Sequence, residues 1–249
     1  MGLPKLSIIT VVYNSEQFIE RTIQSVLGQT YLNIEYIIID GGSSDKTIDL
    51  IKKYNSLSNN WISEKDNGLY DAMNKGLLRV TGDYVCFLNS GDTFFSNDTI
   101  EKVFSGISEL PDVIYGETMI VKSDENEIGL RRLKTPENLT WKSFKKGMLV
   151  CHQSIYVKST VAENYNLKYK YSADFDWVLK ILKNAKTIHN SNLVLTRFLD
   201  GGINKKNIRK GLYERFNIMA HNYGFISTLF LHIPIGIKFI WYYFRNKRF

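Results

Sequence analysis

The chain has 249 residues, 44% of them hydrophobic, 23% charged and 13% aromatic, a composition that fills the core of one sizeable domain and excludes a repetitive or disordered chain. Two cysteines, Cys86 and Cys151, exclude a disulfide scaffold; they form no CxxC pair, which argues against structural zinc and suits a reducing cytoplasm. The formal charge of +7 is unevenly placed: nine of the 32 Lys and Arg residues lie beyond Leu199, but only Asp200 and Glu214 of the 25 acids do, so a neutral body carries a cationic tail.

Met1–Lys5 lacks the cationic start and long apolar run of a secretory signal. Leu6–Tyr13 is apolar and β-branched, the pattern of a strand buried on both faces. Residues 15–27 then switch to helical spacing, with Phe18, Ile19, Thr22, Ile23, Val26 and Leu27 on one stripe. Ile34–Ile39 is a second buried strand, followed by Asp40-Gly41-Gly42-Ser43-Ser44 and a helix over 45–54. A short strand at 61–63, a turn at Asp66-Asn67-Gly68 and a helix over 69–78 lead to the strand Tyr84–Leu88, which stops at Asn89-Ser90-Gly91-Asp92. This alternation predicts an α/β fold with a Rossmann-like, mostly parallel central sheet flanked by helices.

Beyond Asp112 the rhythm changes to a long strand over 112–121, a turn at Asp124–Glu127, a helix over 136–146, a strand over 153–157 and a helix over 174–182. No internal repeat or low-complexity linker precedes residue 200, so the organisation expected is one domain over 1–204 and a helical, amphipathic, basic extension over 205–249. Phe225–Phe244 approaches the length of a spanning helix, but His232, Pro234 and Lys238 interrupt it. An interfacial helix pair lying on a membrane suits that composition best; packing on the core or in an oligomer interface, and true spanning, remain as alternatives.

In an open parallel sheet, ligands bind beyond the carboxyl ends of the strands. Here Asn14-Ser15, the Asp40–Asp45 cluster and Asn89–Asp92 each follow an apolar run and so emerge at one edge. The chain has no GxGxxG, no GxxxxGK[ST], no GxSxG and no HExxH, which disfavours dinucleotide-binding, phosphate-loop, esterase and zincin chemistry. The rim is acidic, and carboxylates beside a phosphorylated ligand call for a bridging divalent cation.

Several ordered segments carry a resemblance over about residues 4–204. Pro4–Asn14, Gln24–Thr30 and Glu35–Thr47 resemble the family 2 inverting glycosyltransferases of GT-A fold; Glu64–Gly76 and Gly82–Asp92 resemble its bacterial polysaccharide branch, the colanic-acid-type enzymes. The resemblance implies a hexosyl- or N-acetylhexosaminyl-transferase that moves sugar from a nucleotide-diphosphate donor, a UDP-sugar first, to a hydroxyl of a lipid-linked glycan in surface polysaccharide synthesis. Asp40 matches the acid that meets the nucleotide base, and the backbone of Val12, Tyr13 and Asn14 would line the same pocket. Asp66 and Asn74 match positions near the nucleotide and donor sugar. Ser90 and Asp92 fall in the DxD segment, Asp92 as the contact to Mn²⁺ or Mg²⁺. Asp174 matches the general base of the ED motif and is preferred over Asp176; His152, Gln153 and the Gly201–Asn204 segment match features near the acceptor and diphosphate.

Three departures stand out: Asn89 and Gly91 replace common DxD carboxylates, Met73 replaces a frequent Arg that could reach a phosphate or base, and Ala173 replaces the usual Glu before the base. The tail carries no such resemblance. Its cations lie among bulky apolar residues, which points to a peripheral location at the inner face of the cytoplasmic membrane rather than to nucleic acid. A homo-oligomer stays open. The rival readings are a catalytically impaired family member acting as a membrane scaffold, and a basic nucleic-acid-binding protein.

Overall fold

A computed structural model describes residues 2–54, 60–201 and 207–233. Its first half alternates as the pattern predicts: β1 (Leu6–Val12), α1 (Ile19–Leu27), β2 (Ile34–Asp40), α2 (Thr47–Lys52), β3 (Trp61–Ser63), α3 (Leu69–Leu77) and β4 (Tyr84–Phe87). β3, β2, β1 and β4 lie side by side and all parallel, with Val12 opposite Asp40 and Asp40 opposite Ser63. Their carboxyl ends therefore share one edge, as crossover connections require.

The second half comprises β5 (Thr93–Phe94), α4 (Thr99–Ser105), β6 (Val113–Val121), β7 (Glu127–Leu130), β8 (Ile155–Lys158), α5 (Ala173–Asn184), β9 (Ile188–Leu199) and α6 (Ile208–Tyr223). The order β3-β2-β1-β4-β8-β6-β9-β5, with β7 on β6, makes one sheet of nine strands among the described residues. From β4 onward its pairings are antiparallel except for β6 with β9. The sheet is thus mixed, parallel only in the half that read as strand–helix repeats.

Period-two alternation divides each central strand between two cores. Ile9, Val11, Ile37, Ile39, Val85 and Phe87 face the layer of α3, α5 and α6, whereas Leu6, Ile8, Tyr36, Ile38, Tyr84 and Cys86 face that of α1, α2 and α4. Met73 is wholly buried in the first core, where it fills the α3 interface. The helix expected over 136–146 is only a 3-10 turn, Trp141–Lys146, opened by a Thr140–Ser143 capping box and ended at Gly147. β9 is long yet unannounced in the sequence, because it is only half-buried and His189-Asn190-Ser191-Asn192 breaks its apolar pattern.

α6 seats Ile218 and Met219 in the first core, which anchors the start of the basic extension to the body. A further helical stretch, 225–233, exposes Phe225, Ile226, Leu229, Phe230 and Ile233. Among the described residues no helix is long and apolar enough to cross a membrane. Residues 234–244 of the apolar run, and the expected domain boundary at 204, lie outside the described residues.

Candidate active site

The loops after β1, β2 and β3 are laced together at the shared edge. Asp40, closed to solvent, accepts hydrogen bonds at Oδ2 from the N–H groups of Gly42 (3.0 Å) and Ser43 (2.9 Å) and from Ser63 Oγ (2.6 Å), and at Oδ1 from Ser43 Oγ. Here the carboxylate builds its own loop, with Oδ1 accepting a single hydrogen bond. Asn14, at φ 44°, donates its N–H to Ser43 Oγ and accepts from Ser44 N–H at 2.9 Å. Val12 buries its side chain and offers only its carbonyl, to Gly41 N–H at 2.9 Å.

Gly41 is a site of close approach. A Cβ there would stand 2.4 Å from Asp66 Oδ2 and 3.4 Å from Tyr13 Cδ2, so any side chain would displace the carboxylate. Tyr13 is 63% exposed and forms a wall of this recess. Asp66 Oδ1 accepts from Gly68 N–H, which fixes the turn. Asn74 is used differently: both ends of its amide pair with the backbone of Tyr165, at 3.0 and 2.7 Å. It holds the 160s loop and keeps one further N–H and one further carbonyl lone pair beyond that pairing.

The loop after β4 joins the two halves. Ser90 Oγ lies 2.8 Å from Ser15 Oγ, and Gly91, at φ 101°, gives its carbonyl to the Arg21 guanidinium and its N–H to Thr22 Oγ1. Asp92 is 4% exposed; it accepts Gln153 Nε2 at 3.0 Å and the Leu199 N–H at 2.9 Å. Burial raises its pKa from 3.8 to about 6, against the pull of Leu199, Gln153, His152 and Arg21.

Asp174, in the first turn of α5, faces this loop across His152. His152 Nδ1 stands 3.7 Å from Asp174 Oδ2, and its Nε2 stands 3.5 Å from Asn89 Nδ2. Tyr70 donates to Asp174 Oδ1 at 3.2 Å, and Phe175 N–H does so at 2.9 Å. Burial works to raise the Asp174 pKa, but the hydrogen bond and charge of His152, the Arg215 guanidinium and the Phe175 N–H outweigh it and hold the carboxyl below its ordinary range. Burial and the Asp174 charge keep Tyr70 well above the usual phenol range, so it remains a donor. Tyr70, Tyr165 and Trp177 stack in series beneath the carboxylate, with centroids 5.4 and 5.0 Å apart. Asp176, two residues on, pairs instead with Lys180 at 2.9 Å.

The acidic rim is compatible with a divalent cation on specific grounds. Asp92 is a buried carboxylate whose ionisation a cation would favour, and Asn89 Oδ1 in the same loop is buried without a hydrogen-bond partner. Among the described residues no three His, Cys, Asp or Glu side chains converge as a ready-made cage. A cation there would rest on Asp92 and draw most of its ligands from a bound diphosphate and water.

Residues 7–163 match the profile of glycosyl transferase family 2. The chain belongs to that family. An uncharacterized glycosyltransferase of Mycobacterium tuberculosis is 33% identical over 184 residues, which cover 71% of this chain and 68% of that one. A PGL/p-HBAD biosynthesis glycosyltransferase of Mycobacterium bovis is 29% identical over 230 residues, 86% and 85% of the two chains. The fold is that of Staphylococcus aureus TarS, solved in complex with UDP-GlcNAc (TM-score 0.71, 17% identity, 92% of this chain and 73% of that one). It is also that of the mannosyltransferase PcManGT from Pyrobaculum calidifontis, solved with GDP-Man and Mn²⁺ (TM-score 0.65, 14% identity, 92% and 70%). The expected GT-A architecture is therefore present. The family match ends before α5, so the case for Asp174 rests on the ED-segment resemblance and on geometry.

Sequence reasoning did not single out Tyr70, Arg21, Tyr165 or Arg215. Tyr70 lies inside a resembling segment but carries no mark of its task, and the other three act through partners at least 70 residues away in sequence or in a region without resemblance.

Proposed function

We propose that this family 2 glycosyltransferase is an inverting enzyme in which Asp174 is the general base. The observation that carries this is the alignment of Asp92, Gln153, His152 and Asp174, which sets one ionised carboxylate beside the loop expected to meet the donor diphosphate. An acceptor hydroxyl held at Asp174 attacks the anomeric carbon and surrenders its proton to the carboxylate, while the nucleoside diphosphate leaves on the opposite side. Direct displacement of this kind inverts the anomeric configuration. His152 and Arg215 keep Asp174 ionised beforehand, and Tyr70 orients it.

The donor would be a nucleotide-diphosphate sugar, a UDP-sugar first, with its base between Tyr13, Asp40 and Asp66. TarS and PcManGT, which share the fold, were solved with UDP-GlcNAc and GDP-Man, and these support a nucleotide sugar without choosing between a hexosyl and an N-acetylhexosaminyl donor. A divalent cation at Asp92, Mn²⁺ or Mg²⁺, would supply Lewis-acid stabilisation of the departing diphosphate. The acceptor would be a lipid-linked glycan of surface polysaccharide synthesis, met at the inner face of the cytoplasmic membrane. The exposed apolar residues of 225–233 and the basic tail support that location.

The deciding experiment is transfer by Asp174→Asn. It should bind donor with unchanged affinity yet lose transfer by about 10³-fold, and full activity would remove the base assignment.

A further inference from the structure

α6 does more than anchor the tail. Glu214 accepts the N–H groups of Lys170, Tyr171 and Ser172 at 2.9, 2.8 and 2.9 Å, and Ser172 Oγ donates to Gly211 O at 3.1 Å. These bonds clamp α6 onto the residues that start α5, two positions before Asp174. Glu214 keeps its negative charge, but Lys168, Arg209 and Lys210 outnumber it around the cleft.

Beside this clamp lies an open cleft of about 660 Å³ walled by Lys168, Arg209, Lys210 and Tyr213. A second hollow on the other side of α6, about 220 Å³, is walled by Ser172, Leu212 and Arg215. Arg215 lies 5.9 Å above the Phe175 ring, its charge reaches Asp174, and its buried Nε has no hydrogen-bond partner. Cations thus run from the outer cleft, Arg209 and Lys210, to one beside the proposed base. Exposed Ile208, Leu212 and Tyr213 on the same helix, and Phe225, Ile226 and Phe230 beyond it, provide apolar surface for a lipid chain.

We propose that the cleft between α6 and the 168–172 segment holds the phosphate group of the lipid-linked acceptor on Lys168, Arg209 and Lys210, so that the attached sugar is directed toward Asp174 at the start of α5. Charge complementarity selects the ligand: a concave cleft with Lys168, Arg209 and Lys210 against the single carboxylate of Glu214, beside the segment that starts α5. This assignment rests on the reading of a lipid-linked acceptor and adds where its phosphate sits.

The full chain would be titrated in detergent with farnesyl diphosphate, with farnesol as the phosphate-free analogue. Arg209→Ala/Lys210→Ala, changed at two exposed residues, should bind farnesyl diphosphate about tenfold more weakly while UDP with Mn²⁺ titrates as in the unaltered chain. Equal binding by both chains, or farnesol binding as tightly as the diphosphate, overturns the proposal. So does a variant that keeps farnesyl diphosphate but loses vesicles containing phosphatidylglycerol, since its cations would then serve bulk lipid. Failure of the unaltered chain to bind UDP would instead sink the donor reading and leave the cleft measurement standing.

Discussion

The two halves of the sheet build their share of the site in opposite ways. The parallel half places polar residues directly after β1, β2 and β4, and its rim is organised by short loops, with Asp40 bonded to residues two and three positions on. The second half brings its groups from far apart: Gln153 reaches Asp92 across 61 residues, Tyr70 reaches Asp174 across 104, and Leu199 reaches Asp92 across 107. A rim of short loops, cross-linked by hydrogen bonds, holds its polar groups in fixed places. A cluster assembled over long separations sets the ionisation of two carboxylates in opposite directions, Asp92 up and Asp174 down. Binding and chemistry should therefore be separable by mutation.

The sharpest break is expected on the chemistry side. His152→Ala removes the hydrogen bond and charge that lower the Asp174 pKa, so that pKa rises. The acid limb of kcat against pH should then move to higher pH, so that the loss is greatest on the acid side and narrows as the pH rises. A uniform loss at every pH would mean that His152 acts otherwise. On the donor side, Gly41→Ala forces a methyl into the place of the Asp66 carboxylate; donor KM should rise about tenfold, near 1.4 kcal/mol, with kcat at saturating donor little changed. If kcat fell instead, the two halves would not be independent.

A third effect, read in stability rather than turnover, joins the halves. Asp92 has a folded pKa raised above its unfolded value, so its ionisation penalises the native state increasingly from about pH 4 to about pH 6 and fully above. Asp92→Asn keeps an acceptor for the Leu199 N–H, and the Gln153 amide can turn to accept from the new one. Without metal, the variant should be roughly 2 kcal/mol more stable than the unaltered chain at pH 8 and equal to it below pH 4. Mn²⁺ with nucleotide should raise the melting temperature of the unaltered chain and fail to do so in the variant.

Much of the donor half could be read before any coordinates, because each polar cluster interrupts an apolar strand and a parallel sheet sends every such interruption to the same edge. Asp92, His152, Gln153 and Asp174 were also legible one by one through resemblance. Asn74 shows the limit of such reading: its amide also ties down the backbone of Tyr165, 91 residues away, which no local pattern announces. β9 escaped for a related reason, since a half-buried strand with polar residues over 189–192 has no strict alternation.

The sequence by itself determined the parallel half, the residue types at its rim and the confinement of excess cations to the tail, since all three follow from local order of apolar and polar residues. Only the tertiary structure decided that Asp174 meets His152 and Tyr70 while Asp176 turns to Lys180, and that Glu214 clamps α6 to the segment before α5. Most of those outcomes depend on packing between elements distant in sequence, and since Asp92 and Asp174 are both buried, the partners that packing brings, His152 foremost, set their ionisation apart.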